Sequence, residues 1–210
     1  PTVRQVISRA DSNNNILIRW RKNQIKELGE EGFHNSIKGK LIAILDFHNT
    51  ICRYMRGEKN IEIAEDIQGL WNSIKHVLES FEEDDIKCLE GSVEHPLLHY
   101  VGGYDCIAVY RKTLCIIEWK SSKKPKPFLS TTRNYPVQAA AYIGAVNASF
   151  DTELKKLGPV TNAMVVVAYP FGQPAHAHYL TDKMVDLYWN RWLQMLYTYW
   201  SCHQSKQNLI

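Results

Sequence analysis

The stretch 102-GGYDCIAVYRKTLCIIEWK-120 reads as a β-hairpin that carries charge on a face expected to be apolar. Both arms are rich in β-branched and apolar residues (Ile107, Val109, Tyr110, then Leu114, Ile116, Ile117), with the polar pair Arg111-Lys112 between them. If that pair is the turn, opposed positions sum to 223 and Asp105 faces Glu118. Lys120 then shares a face with Glu118, because strand side chains alternate. Two carboxylates and an ammonium converging on an apolar hairpin are costly unless a cation or a substrate offsets the repulsion. Carboxylate oxygens point to Mg²⁺ or Mn²⁺ rather than zinc. Arg-Lys is not the Asn-Gly type of pair that two-residue turns favour. A four-residue loop on the same centre keeps this register, and a three-residue loop breaks it.

The remaining sequence sets bounds. With 210 residues, 45% hydrophobic and 22% charged, the chain has an ordinary globular composition and is expected to form one domain. No apolar run approaches a membrane span, so an integral membrane protein is not expected. The chain opens on Pro1 rather than methionine, as a processed or trimmed chain would, so the lack of a targeting peptide says nothing about compartment. The five cysteines (52, 88, 106, 115, 202) have no C-x-x-C spacing and are expected to be reduced, mostly buried thiols of an intracellular protein.

Net charge is only +3, but it is unevenly spread. Seven basic residues lie between Arg111 and Arg133 against one acid, Glu118, which suits an acidic substrate such as a phosphodiester backbone. The reverse holds from Glu79 to Glu90, where six acids accompany Lys87; this run is expected to be a solvated loop.

Along the chain, residues 1–14 are expected to be a short strand or coil and then a loop. An exposed helix from Ile16 to about Glu30 should be closed by Gly29 and Gly32. A second helix should cover Leu41 to Met55, with Leu41, Ile44, Leu45, His48, Ile51 and Cys52 along its apolar stripe. A third should run from about Ile61 to Phe81. A strand around Lys87 to Val93, a turn at Pro96 and the hairpin follow. KKPKPF (123–128) should be a stiff, basic, extended loop. A helix from about Val137 to Asn147, strands at Val160–Tyr169 and Ala175–Leu180, and a helix from Asp182 to about Cys202 complete the chain. The aromatic stripe of this last helix reads as core. The order predicts a mixed sheet flanked by helices, with an all-helical N-terminal portion (about 1–80) laid over one side of a core at about 85–205.

The spacing also carries a resemblance. G-x-D (Gly103, Asp105), twelve residues, E-x-K (Glu118, Lys120), then Q-x-x-x-Y (Gln138, Tyr142) is similar to the RecB-type branch of the PD-(D/E)XK nuclease superfamily. RWRKNQIKELGEEGF (19–33), EWKSSKKPKPF (118–128) and QAAAYIGAVN (138–147) extend the likeness, from about Arg19 to Trp200, to the exonucleases that maintain the mitochondrial genome. The resemblance implies an α/β restriction-endonuclease-like core and a metal-dependent exonuclease of the mitochondrial matrix. Its substrate would be single-stranded or flap DNA, with a helical arch that the strand can thread. Metal and phosphate follow from the residues themselves, whereas strandedness and compartment follow from the resemblance alone.

In this reading Asp105 and Glu118 hold the metal and Lys120 is the catalytic lysine, positioning or deprotonating water or steadying the transition state. Gln138 and Tyr142, four apart on a helix, support it. The resemblance implies that His48 and Glu90 are further metal ligands, with Glu94 a rival to Glu90 on the same strand face. Lys123, Lys124, Lys126 and Arg133 would bind DNA while Phe128 or Tyr135 stacks on a base, although a merely solvated turn fits the same residues. Arg19, Trp20 and Arg21 are weighed equally between contact and surface. His176 and His178 read as structural. Ser121 stands where the family often has threonine and keeps the hydroxyl. The chain lacks the cysteine group of iron–sulfur relatives and any G-x-x-x-x-G-K-[ST] loop, so neither a cluster nor ATP is expected. The expected form is a monomer. A flap or restriction-like endonuclease and a silent DNA-binding module are the alternatives.

Overall fold

The computed structural model describes residues 1–10 and 14–207. Five strands form one sheet in the order β1-β2-β3-β4-β5: Ile86–His95, Tyr100–Tyr110, Thr113–Ser121, Asn162–Ala168 and His176–Leu180. The first three are an antiparallel meander, β4 runs parallel to β3, and β5 returns antiparallel. This is the mixed sheet flanked by helices that was expected.

The hairpin register is the one read from sequence. Cys106 pairs with Ile117 and Tyr110 with Thr113, so Arg111-Lys112 is a two-residue turn. Both residues take the left-handed conformation (φ 51° and 63°), as a type I′ turn demands. The Arg111 guanidinium lies over the rings of Tyr110 and Tyr179, at 5.3 and 5.6 Å.

Both sheet faces are covered. Ile107, Ile116, Val165 and Val167 pack with helix α4 (Tyr135–Ala148) and helix α6 (Asp182–Gln207). On the other face Ala108, Ile117, Trp119 and Val166 pack against α3 (Gln68–Leu78) and the C-terminal end of α2 (Asn14–Met55). Strand β4, buried throughout, is the continuous apolar run that a doubly covered parallel strand requires. Pro136 opens α4, and Val185, Trp192 and Leu196 of the α6 stripe are core as expected, whereas Trp200 at its far end is exposed.

Several expectations are corrected. Residues 3–10 form a helix, α1 (Val3–Ala10), not a strand or coil. Thr2 and Gln5 cap it reciprocally: Gln5 N donates to Thr2 Oγ1 (3.1 Å) and Thr2 N to Gln5 Oε1 (2.8 Å). Val3 and Val6, on one face, are buried beside α4 and α6, so the N-terminal portion covers both sides of the sheet rather than one. The loop expected at 11–13 lies outside the described residues. The two helices expected at 16–30 and 41–55 are one element, α2, broken only at Gly29 (φ 72°, ψ 168°), while Gly32 lies within the helix. The helix expected at 61–81 shortens to α3, preceded by a 3₁₀ turn at Glu65–Ile67. A short helix between α4 and β4, α5 (Thr152–Leu157), was not anticipated; Asp151 caps it by accepting from Glu153 N and Leu154 N. The cysteines are free, with Cys52, Cys106 and Cys115 buried and Cys202 exposed. Among the described residues no helix is long and apolar enough to cross a membrane.

Candidate active site

Glu118 and Lys120 share parity with Ile116, so both point to the face covered by α4. Across the hairpin the β2–β3 ladder ends at Cys106 and Ile117. Beyond it the Asp105 carboxylate takes the place of a ladder acceptor, its Oδ2 accepting from Trp119 N at 2.8 Å. Lys120 Nζ donates to Glu118 Oε2 at 2.6 Å and lies 5.7 Å from the Tyr135 ring centroid. The other Glu118 oxygen, Oε1, is buried and has no partner among the described residues.

Two more candidate ligands reach Asp105 from neighbouring elements. Glu90 stands between the paired residues Leu89–Cys106 and Gly91–Tyr104, which sets it opposite Asp105 across the β1–β2 ladder. Its φ of 52° is left-handed. His48, on the last turns of α2, places Nδ1 3.4 Å from Asp105 Oδ1 and 3.9 Å from Glu90 Oε1. One donor atom from each of His48, Glu90 and Asp105 lies within 4.8 Å of the others. Glu90, and not its rival Glu94, is brought into this cluster.

The electrostatics match the geometry. Burial and then the Asp105 charge push Glu118 up to about 7. The same two causes raise Glu90. Burial works to raise Asp105 as well, but the His48 hydrogen bond and the Lys120 charge outweigh it and hold the group below its ordinary value. Burial works to lower Lys120, yet the Glu118 and Asp105 carboxylates hold its ammonium above the usual lysine range. His48, Glu90 and Asp105 form a donor set that fits a divalent cation, while Glu118, whose second oxygen has no partner among the described residues, stands outside that cluster.

Gln138 and Tyr142 come together on α4, with Gln138 Nε2 donating to Tyr142 Oη at 2.7 Å. Burial and the Glu118 charge raise Tyr142 to about 12. A cavity of about 590 Å³ leads to this point, lined by His48, Glu90, Asp105 and Tyr142 and walled by Leu41, Ile44 and Leu45 of α2. Those three, read from sequence as part of one apolar stripe with Ile51 and Cys52, are exposed along the cleft, while Phe47, Ile51 and Met55 supply the buried end of the helix. Arg4 of α1 also lines the cavity. Sequence reading passed over Arg4, although the Thr2–Gln5 capping pair could have signalled the helix that carries it.

The basic loop is placed less uniformly. Lys123, Lys124 and Arg133 are exposed and Phe128 is 68% exposed. Lys126 is tied inward, its Nζ donating to Thr131 O (2.8 Å), whereas Tyr135 is occupied over Lys120. Trp20 packs edge-on to Phe33 at 6.0 Å and Arg21 lies over the same ring, bridging the break at Gly29. His176 and His178, read as structural, hold the backbone of the basic loop: His178 Nε2 is 2.9 Å from Lys126 O, and Tyr169 Oη joins Lys126 N to His176 Nδ1.

No model of a known protein family matches the chain. Individual proteins do. It is 36% identical over 186 residues to mitochondrial genome maintenance exonuclease 1 of Mus musculus, covering 88% of this chain and 53% of the mouse protein. The Homo sapiens protein of that name is 31% identical over 204 residues (95% and 58%). The Xenopus tropicalis protein is 36% identical over 195 residues (91% and 54%). The chain thus spans somewhat more than half the length of these relatives. A candidate exonuclease of solved structure from Eubacterium rectale superposes with a TM-score of 0.45 at 11% identity, covering 73% of this chain and 63% of its own.

Proposed function

With similarity to these exonucleases along 88–95% of the chain as the premise, we propose that this protein is a metal-dependent exonuclease. It hydrolyses phosphodiester bonds of single-stranded DNA and flaps, in the maintenance of mitochondrial DNA. The observation that carries this reading is the buried Glu118, one oxygen on Lys120 and the other without a partner, facing Asp105. A pure binding module has no use for repelling carboxylates buried beneath a phosphate.

His48, Glu90 and Asp105 would hold the cation, with Glu118 the further ligand of this reading, and an imidazole among carboxylates suits Mn²⁺ at least as well as Mg²⁺. When bound, a divalent cation supplies Lewis acidity to the phosphate and lowers the pKa of water. Lys120 acts as a cation: carboxylates on both sides keep it protonated, so its work is to steady charge developing on the phosphate rather than to remove a proton from water. Tyr142 stays a neutral phenol, and with Gln138 it orients the groups above Glu118. Leu41, Ile44 and Leu45 offer apolar contact to unstacked bases, which a duplex does not present. Lys123, Lys124, Arg133 and Phe128 bind the strand as it passes.

The test is degradation of end-labelled linear single strands beside a circular one, by wild type and Lys120→Ala, in Mg²⁺, Mn²⁺ and EDTA. Shortening of linear strands alone, lost in EDTA and in the variant, is the expected result. Cutting of the circle would instead indicate an endonuclease. Intact DNA that still shifts in a gel would indicate a silent binding module.

A further inference from the structure

The histidines of β5 stand in register with the catalytic residues. Lys120 pairs with Val167, which pairs with His176; Glu118 pairs with Val165, which pairs with His178. Neighbours in register project to one face, and Leu180, of the same parity as the histidines, is buried in the core with Val165 and Val167. Both imidazoles therefore lie on the catalytic face, two strand spacings, or about 10 Å, from Lys120 and Glu118.

The hydrogen bonds around His176 fix its free donor. Lys126 N donates to Tyr169 Oη (2.8 Å), and the Tyr169 hydroxyl has His176 Nδ1 as its acceptor, also at 2.8 Å. We assign the Tyr169 hydroxyl as the donor in this pair, which leaves the ring hydrogen of His176 on Nε2. No hydrogen bond among the described residues uses that nitrogen. His176 lines a cavity of about 460 Å³ together with Lys123, Gln173, Tyr169, Pro125 and Pro174. Lys123, Gln173 and His176 are among its lining residues, and no Asp or Glu is. An acid-free cavity lined in part by a lysine and a histidine, on the catalytic face, suits an anion.

We propose that this cavity is a second phosphate subsite, in which Lys123 and His176 Nε2–H hold a backbone phosphate of the same strand, away from the one being hydrolysed. The proposal rests on the nuclease reading above. It gives β5 a role beyond anchoring the loop: His176 binds substrate while His178, donating to Lys126 O, holds Lys123 over the cavity.

The test uses single-stranded oligonucleotides that carry one methylphosphonate linkage, which removes a single backbone charge, at successive positions from the labelled end. Wild type, Lys123→Ala, His176→Ala and His176→Gln are compared as the full chain. In wild type a neutral linkage at one position of the scan, away from the scissile bond, should raise KM about tenfold with little change in kcat. Lys123→Ala and His176→Ala should show that rise on the unmodified strand and no further response to the neutral linkage, and Lys123→Ala alone should also show a salt dependence shallower by about 0.7. His176→Gln, which keeps an N–H, should recover part of the loss. Lys123 is exposed, so its variant folds regardless of how His176→Ala behaves. Variants that cut with wild-type KM, or that stay sensitive to the same neutral linkage, overturn the subsite and leave the nuclease reading intact. If wild type binds the strand without cutting it, the nuclease reading fails, and the same comparison by fluorescence anisotropy still decides the subsite. If it neither binds nor cuts, both fall.

Discussion

Glu118 is the residue on which the site turns. Its folded pKa, about 7, is above the unfolded value, so its contribution to metal-free stability is complete at acid pH and is lost as pH rises through about 7. In EDTA the melting temperature of wild type should therefore fall between about pH 5.5 and pH 8, and that of Glu118→Gln should fall less. Cation binding needs the ionised carboxylate and has the opposite sign. Mn²⁺ should raise the wild-type melting temperature more at the higher pH, and should raise that of Glu118→Gln little at either. A variant whose melting temperature follows wild type across this range, with and without Mn²⁺, would remove Glu118 from the metal site. The presence of the acid pair and lysine was legible from spacing alone, because a strand puts i and i+2 on one face. The partnerless oxygen was not, since it depends on how α4 closes over the sheet.

At the scale of elements, the turn and the catalytic strand make separate demands. Lys112 has φ 63° and no Cβ-free alternative, so Lys112→Gly should stabilise the hairpin by about 1 kcal/mol and leave activity unchanged, as read by denaturant midpoint and by DNA degradation. Gly102 is the opposite case. A Cβ there would lie 2.3 Å from Tyr142 Cε1, and α4 behind the ring is buried. Gly102→Ala should cost about 1–3 kcal/mol and lower activity as well, because Tyr142 must move away from Gln138. The hairpin, β4 and α4 were readable because local pattern and tertiary burial agree there. The extent of α2 was not: Gly32 looks like a stop, yet a lone helical glycine costs only about 1 kcal/mol, and the helix runs through it. The Leu41, Ile44 and Leu45 stripe misled for the complementary reason, since apolar residues facing a cleft repeat with the same period as those facing a core.

Across the whole molecule, the anchoring of the basic loop joins positions 43 and 52 residues apart, a relation no local pattern contains. The site likewise gathers α2, β1, β2, β3 and α4 at one end of the sheet. Its cost to the fold is concentrated in a few places: the left-handed backbone of Glu90, the carboxylates of Glu90 and Asp105 set opposite each other, and the buried Glu118. A library of variants selected for heat resistance alone, with no demand on DNA cleavage, should therefore accumulate Gly or Asn at 90 and neutral side chains at 118 ahead of changes elsewhere in the buried sheet. Sequencing such survivors and assaying them for cleavage checks this: heat-resistant clones should be inactive more often than clones drawn at random, and enrichment away from these positions would count against it. Glu90 in particular, strained by its backbone and crowded by its neighbour, would on the proposed reading be kept by selection for catalysis alone, so a lineage that lost its substrate would shed this residue early.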